Sequence, residues 1–112
     1  MGVMTESLAH ATTLAHPDRS AIQIESVLHA LADPIRLRIV RELARVGDEG
    51  VPCGTVELPV TKSTRTHHFR ILREAGVIYM RPLGTSRIST LRRDDLDALY
   101  PGLLDSILTA AR

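Results

Sequence analysis

The stretch Thr61-Lys62-Ser63-Thr64-Arg65-Thr66-His67-His68-Phe69-Arg70-Ile71-Leu72-Arg73-Glu74-Ala75-Gly76 reads as one helix with two unlike sides. At helical periodicity Phe69, Leu72 and Ala75 fall together, whereas Ser63, Thr66, His67 and Arg70 recur at i, i+3, i+4 and i+7 on another side. The first side anchors and the second contacts. Thr61 is placed to cap the helix and Gly76 to end it. His68, next to Phe69, turns inward and is expected as a partly buried, hydrogen-bonded histidine. The stem of Arg65 is expected to pack while its head reaches a phosphate or an acid.

Downstream, Val77-Ile78-Tyr79-Met80-Arg81-Pro82 and Ser86-Arg87-Ile88-Ser89-Thr90-Leu91 flank Leu83-Gly84-Thr85, the pattern of a β-hairpin closed by a glycine turn. Upstream, Val51-Pro52-Cys53 is short and extended. Residues 54–58 allow at most a cramped helix, because Gly54 and Pro59 are poor helix residues. Asp33-Pro34 is a strong start signal, an acidic cap followed by proline where its missing N–H costs nothing. The helix it opens is expected to bury Ile35, Leu37, Ile39, Val40, Leu43 and Ala44, to turn Arg36, Arg38, Arg41, Glu42 and Arg45 outward, and to stop at residues 47–50. A preceding helix is expected over residues 20–31, capped by Ser20, with Ile22, Ile24, Val27, Leu28 and Leu31 as its apolar face.

Residues 94–100 and 103–111 are helical in pattern, broken by Pro101-Gly102. Leu103, Leu104, Ile107, Leu108 and Ala111 form a stripe that a small chain could hardly cover alone, which makes the first four the expected dimer interface. Residues 1–19 are expected as an N-terminal segment, partly helical over 4–14 or disordered, interrupted at His16-Pro17-Asp18. Residues 20–112 form the main domain. Helix, helix, then basic hairpin is the order of a winged helix-turn-helix, so the fold class is mainly α with a small β-hairpin.

With 112 residues the chain has room for one domain of modest core. One Phe, two Tyr and no Trp leave Leu, Ile, Val and Ala to fill it. The single cysteine, Cys53, forms no internal disulfide, in keeping with a reducing compartment. No apolar run is long enough to span a bilayer, and residues 1–14 contain Glu6 and lack the order of a signal peptide, so a cytoplasmic protein is expected. The net charge of +1 hides a segregation: between Lys62 and Arg93 lie eight Lys or Arg and one acid, Glu74. That third is where a polyanion docks, because neutralising phosphates releases counterions.

Catalysis has little to work with. Cys53, the His67-His68 pair and Asp94-Asp95 are the raw material, and no spacing sets a nucleophile beside an oriented base. No glycine-rich phosphate loop occurs, and no cofactor is expected. His10, His16 and His29 are too scattered to argue for a metal site. A lone cysteine is more often a small buried hydrophobe than a redox centre.

Leu31-Ala32-Asp33-Pro34-Ile35-Arg36-Leu37-Arg38-Ile39-Val40, followed by Ser63 to Ile78, resembles the bacterial ArsR/SmtB winged helix-turn-helix repressors over residues 26–91. The resemblance implies a homodimer on an inverted-repeat operator, recognition helices in successive major grooves, hairpins as wings, and repression relieved by a ligand or chemical signal. Metal-sensing relatives carry closely spaced Cys pairs near the recognition helix, or Asp and His ligands on the last helix. This chain has neither, so its effector stays unknown. It also departs from the family at Arg65, a position usually apolar.

The residues support double-stranded DNA as partner independently. Lys62 and Ser63 lie in the first helical turn, where amide groups and the dipole also favour a phosphate. Thr66, His67 and Arg70 lie one to two turns on, where an inserted helix meets base edges. Thr64 and Arg73 complete the candidate contacts on the helix, and Arg87, with Arg81 as a second candidate, grips the backbone or minor groove from the wing. The competing reading is a winged-helix module that binds protein and has no specific DNA target.

Overall fold

The computed structural model describes residues 14–111, so all but the last residue of the short helix expected over 4–14 lies outside the described residues. The helices are α1 (Ile24–Leu31), α2 (Pro34–Val46), α3 (Lys62–Glu74), α4 (Arg93–Leu99) and α5 (Leu103–Ala110). The strands are β1 (Val51–Pro52), β2 (Ile78–Leu83) and β3 (Ser86–Leu91), in the antiparallel order β1-β3-β2. Helices α1, α2 and α3 pack on one another, and the β2–β3 hairpin projects beside α3. This is the winged helix-turn-helix architecture. Among the described residues no helix is long and apolar enough to cross a membrane.

Local chemistry explains most boundaries. The Asp33 carboxylate accepts from the Ile35 and Arg36 amides at 2.9 and 3.0 Å, so α2 starts as its Asp-Pro signal predicts. Helix α3 starts at Thr61, whose Oγ1 accepts from the Thr64 amide, and ends in a Schellman turn. There the amides of Gly76 and Val77 donate to the carbonyls of Arg73 and Leu72. Gly76 has φ +86°, and a Cβ there would lie 2.5 Å from Ile22 Cγ1. Only glycine lets α3 stop so close to the N-terminal segment.

Three expectations are corrected. Ser20 does not cap a helix over 20–31: a short 3-10 turn at Arg19–Ala21 gives way to extended backbone at Ile22, and α1 begins at Ile24 without a side-chain cap. Burying Ile22 against Gly76 bends the chain there. The apolar face of α1 is divided, with Val27 and Leu31 in the core and Leu28 47% exposed. Arg36 points inward rather than outward and is 7% exposed.

The wing also holds a strand more than the expected hairpin. Val51 pairs with Ser89 and Pro52 with Ile88, which makes β3 the central strand. Gly50 permits this approach, since a Cβ there would meet Ile88 Cγ2 at 2.6 Å and the Ser89 carbonyl at 2.8 Å. The cramped helix expected after β1 is reduced to one 3-10 turn, Cys53–Thr55, and residues 56–61 lead irregularly into α3.

The core joins Val27, Ala30 and Leu31 of α1 to Ile39, Val40 and Leu43 of α2, with Phe69 and Leu72 of α3 and Ile78 and Met80 of β2. Phe69 is the one large aromatic in it, as the composition requires. Helices α4 and α5 close the far side through Leu96 and Leu104.

Candidate nucleic-acid interface

Helix α3 is held from behind by a buried cation. Arg36 sits at the i−3, i−4 and i−7 positions to Ile39, Val40 and Leu43, so it shares their inward stripe. Its Nε donates to the Ala30 carbonyl at 2.6 Å and its Nη2 to the His29 carbonyl at 3.2 Å. Both are last-turn carbonyls of α1, where helix ends leave acceptors to be met from outside; that of His29 also accepts from the Ala32 amide at 3.2 Å. The third donor, Nη1, lies 3.2 Å from Nδ1 of His68 on α3. Arginine only donates, so Nδ1 accepts and a neutral His68 carries its proton on Nε2. One guanidinium thus ties the end of α1 to the inner face of α3.

Asp33 completes this network, its carboxylate 3.9 Å from His68 Nδ1. Burial opposes ionisation of Asp33, but the Arg36 amide, the Arg36 charge and the Ile35 amide together hold its carboxyl below the ordinary value. His68 is the buried, hydrogen-bonded histidine its sequence position predicts.

The opposite face of α3 is open. Lys62, Ser63, Thr66, His67 and Arg70 are all exposed and together line one shallow depression. Thr66 Oγ1 donates to the Lys62 carbonyl at 3.0 Å, which commits its proton and leaves the oxygen free to accept from a base amine. An Arg70 Nη2 proton points to His67 Nδ1 at 3.2 Å, so neutral His67 presents an Nε2–H. Remaining Arg70 donors suit a guanine edge. Thr64 is exposed too, but its hydroxyl accepts from Thr61 Oγ1 at 3.0 Å and belongs to the cap.

The other candidates lie around this depression. Arg73 is half-buried and its Nη1 donates to the Ala15 carbonyl at 2.6 Å, so it holds the N-terminal segment against α3. Arg87 on β3 is exposed and shares a cleft with Arg65, Arg70 and Arg73. Arg81 is exposed on β2 and faces Ile88 across the hairpin. Among the described residues, none of Lys62, Arg65, Arg70, Arg73, Arg81 and Arg87 pairs with a carboxylate.

The N-terminal segment supplies contacts that periodicity did not reveal. The Met80 amide donates to His16 Nε2 at 2.9 Å, and the His16 ring meets Tyr79 edge-on. Arg92 is 3% exposed. It donates to the Pro17 carbonyl and to Asp95, and its guanidinium lies 4.2 Å from the centre of the Tyr79 ring. Cys53 is half-buried with its Sγ 3.0 Å from Ser89 Oγ, and burial pushes the thiol up from its ordinary value. Among the described residues no three His, Cys, Asp or Glu side chains gather to hold a metal.

On α5, Leu104, expected at a dimer interface, is instead 2% exposed within the protomer's own core, while Leu103, Ile107 and Leu108 are half-buried at its edge.

Comparison with known proteins agrees with this geometry. A family model described as a helix-turn-helix domain matches residues 31–81, from the end of α1 through α3 into the wing. The chain is also 35% identical over 83 residues to an uncharacterized HTH-type transcriptional regulator, YceK, of Bacillus subtilis (strain 168). The match covers 72% of this chain and 82% of the relative. A fold with an open cationic helix, matched along most of a regulator's length, places the chain in the family of helix-turn-helix DNA-binding transcriptional regulators.

Proposed function

We propose that the chain is a homodimeric repressor of the ArsR/SmtB type, which binds an inverted-repeat operator through α3 and is released by a signal. The observation that carries this reading is the depression on α3. Its lining of Lys62, Ser63, Thr66, His67 and Arg70 combines phosphate-binding cations with base-reading donors and acceptors, and contains no carboxylate. Thr64, Arg73, Arg87 and Arg81 extend the contact to the flanking backbone.

A dimer is favoured by two apolar features that the protomer leaves partly uncovered. Leu28 is exposed on α1, and Leu103, Ile107 and Leu108 are only half-buried on α5. Two-fold pairing of such surfaces would set two α3 helices about one DNA turn, roughly 34 Å, apart. An effector then acts by preferring one separation of those helices over another. Residues 20–112 form the unit that binds DNA and dimerises.

Salt-titrated binding to duplex DNA from the gene's own upstream region tests this. The account predicts a log K that falls against log salt with a slope of about 0.9 per neutralised phosphate, and tighter binding than to scrambled duplex. A shallow slope with no sequence preference would favour the protein-binding module instead. Sedimentation should give a dimer at micromolar concentration, and a monomer there would remove the two-fold arrangement.

A further inference from the structure

A second, deeper pocket lies on the other side of the α3 cations, between that helix and the wing. It has a volume of about 280 Å³, room for a one- or two-ring molecule. Its walls are of two kinds. Leu14, Phe69, Met80 and Cys53 supply apolar surface, while Lys62, Arg65, Arg70, Arg73 and Arg87 supply positive charge; no Asp or Glu lines it. The depression beside Arg38, Arg41 and Arg45 differs, because Glu42 lies within it and pairs with Arg45.

Arg65 singles this pocket out. Its Nε is buried and has no hydrogen-bond partner among the described residues. A permanently charged guanidinium with an unmet buried donor is costly, and such a group calls for an unplaced acceptor. Arg65 does not line the open depression on α3, so DNA lying there does not meet this need. Lys62, Thr66 and Arg70 line both hollows and form the ridge between them.

We propose that this pocket binds a small organic anion, a carboxylate or phosphate monoester carried on an apolar ring. The anionic group pairs with Arg65 and the neighbouring cations, and the ring lies on Phe69 and Met80. Occupancy draws Lys62 and Arg70 toward the ligand and away from the nucleic-acid face; this last step alone rests on the DNA-binding reading. The site would serve as an inducer pocket within one protomer. Cys53 contributes an uncharged thiol to the apolar wall.

The test uses the full chain without DNA, with naphthoate as probe and the Met80 methyl NMR signal as readout. Naphthoate should shift that signal saturably, and naphthamide, the same ring without the charge, should bind at least about tenfold more weakly. Arg65→Met should weaken naphthoate about tenfold with the unfolding midpoint preserved, whereas Arg38→Met should leave it unchanged. Equal binding of naphthoate and naphthamide would overturn the proposal. So would an Arg65→Met chain, or an Arg38→Met chain, that departs from this pattern, or a Met80 signal unmoved by naphthoate and naphthyl phosphate up to about 10 mM. Because no operator is present, the pocket and the DNA-binding reading can fail separately.

Discussion

Arg36 and Arg70 stand on successive helices of one motif and do opposite work. Arg36 is buried, and its three nitrogens go to two carbonyls of α1 and to His68. Arg70 is exposed, and its protein partner among the described residues is the adjacent His67. The first cation fixes α3 against α1, and the second stays open to solvent. The same division runs through the cationic third: Arg92 and Arg93 pair with aspartates of α4 and α5, while the other six cations pair with none among the described residues. Charge matters for recognition where the fold has left it unspent.

Removing Arg36 should have the largest effect on folding. Arg36→Ala strands the buried Ala30 carbonyl and the His68 acceptor and opens a gap in the core, and should destabilise by roughly 3 kcal/mol in urea unfolding. A loss below about 0.5 kcal/mol would put Arg36 in the same class as a surface cation. Next comes the stop of α3. Gly76→Ala forces a Cβ into a left-handed residue and against Ile22, so its unfolding free energy should fall by about 2 kcal/mol. Full stability would show that the N-terminal segment yields there.

The smallest effect concerns pH. His16 is held below its ordinary value of 6.5, first by burial and then by the Arg73 and Arg92 charges, against a weaker opposing bond to Leu14. The folded state therefore binds this proton less tightly than the unfolded chain does. Its stabilising contribution is complete above 6.5 and is lost as pH falls from there through the lowered folded value. His16→Gln keeps an acceptor for the Met80 amide without titrating. Urea midpoints between about pH 8 and pH 5 should fall less for this variant than for the parent chain. Parallel curves would mean that the His16 contact does not bind the segment.

What the sequence disclosed follows the range of the interactions concerned. Asp33-Pro34, Thr61 and Gly76 mark helix ends through bonds to residues two to five positions away, so a linear reading finds them. The two faces of α3 were legible for the same reason, and the depression on its outer face gathers five of the expected contacts. The start of α1 depends on Ile22 meeting Gly76, and β1 exists because Val51 reaches Ser89. The hold on the N-terminal segment joins Pro17 to Arg92 and His16 to Met80. No local pattern encodes those pairings. Arg36 is the instructive case, because its spacing to Ile39, Val40 and Leu43 already placed it on the buried stripe and its charge argued against reading it so.

The most direct test of the central claim is the double variant Thr66→Ala with Arg70→Ala, assayed on duplex from the gene's upstream region with its unfolding midpoint measured in parallel. Both side chains lie on the open face of α3, outside the core. Specific affinity should fall at least about a hundredfold while stability changes by less than about 0.5 kcal/mol. Unchanged affinity in a folded chain would contradict the assignment of this face to DNA.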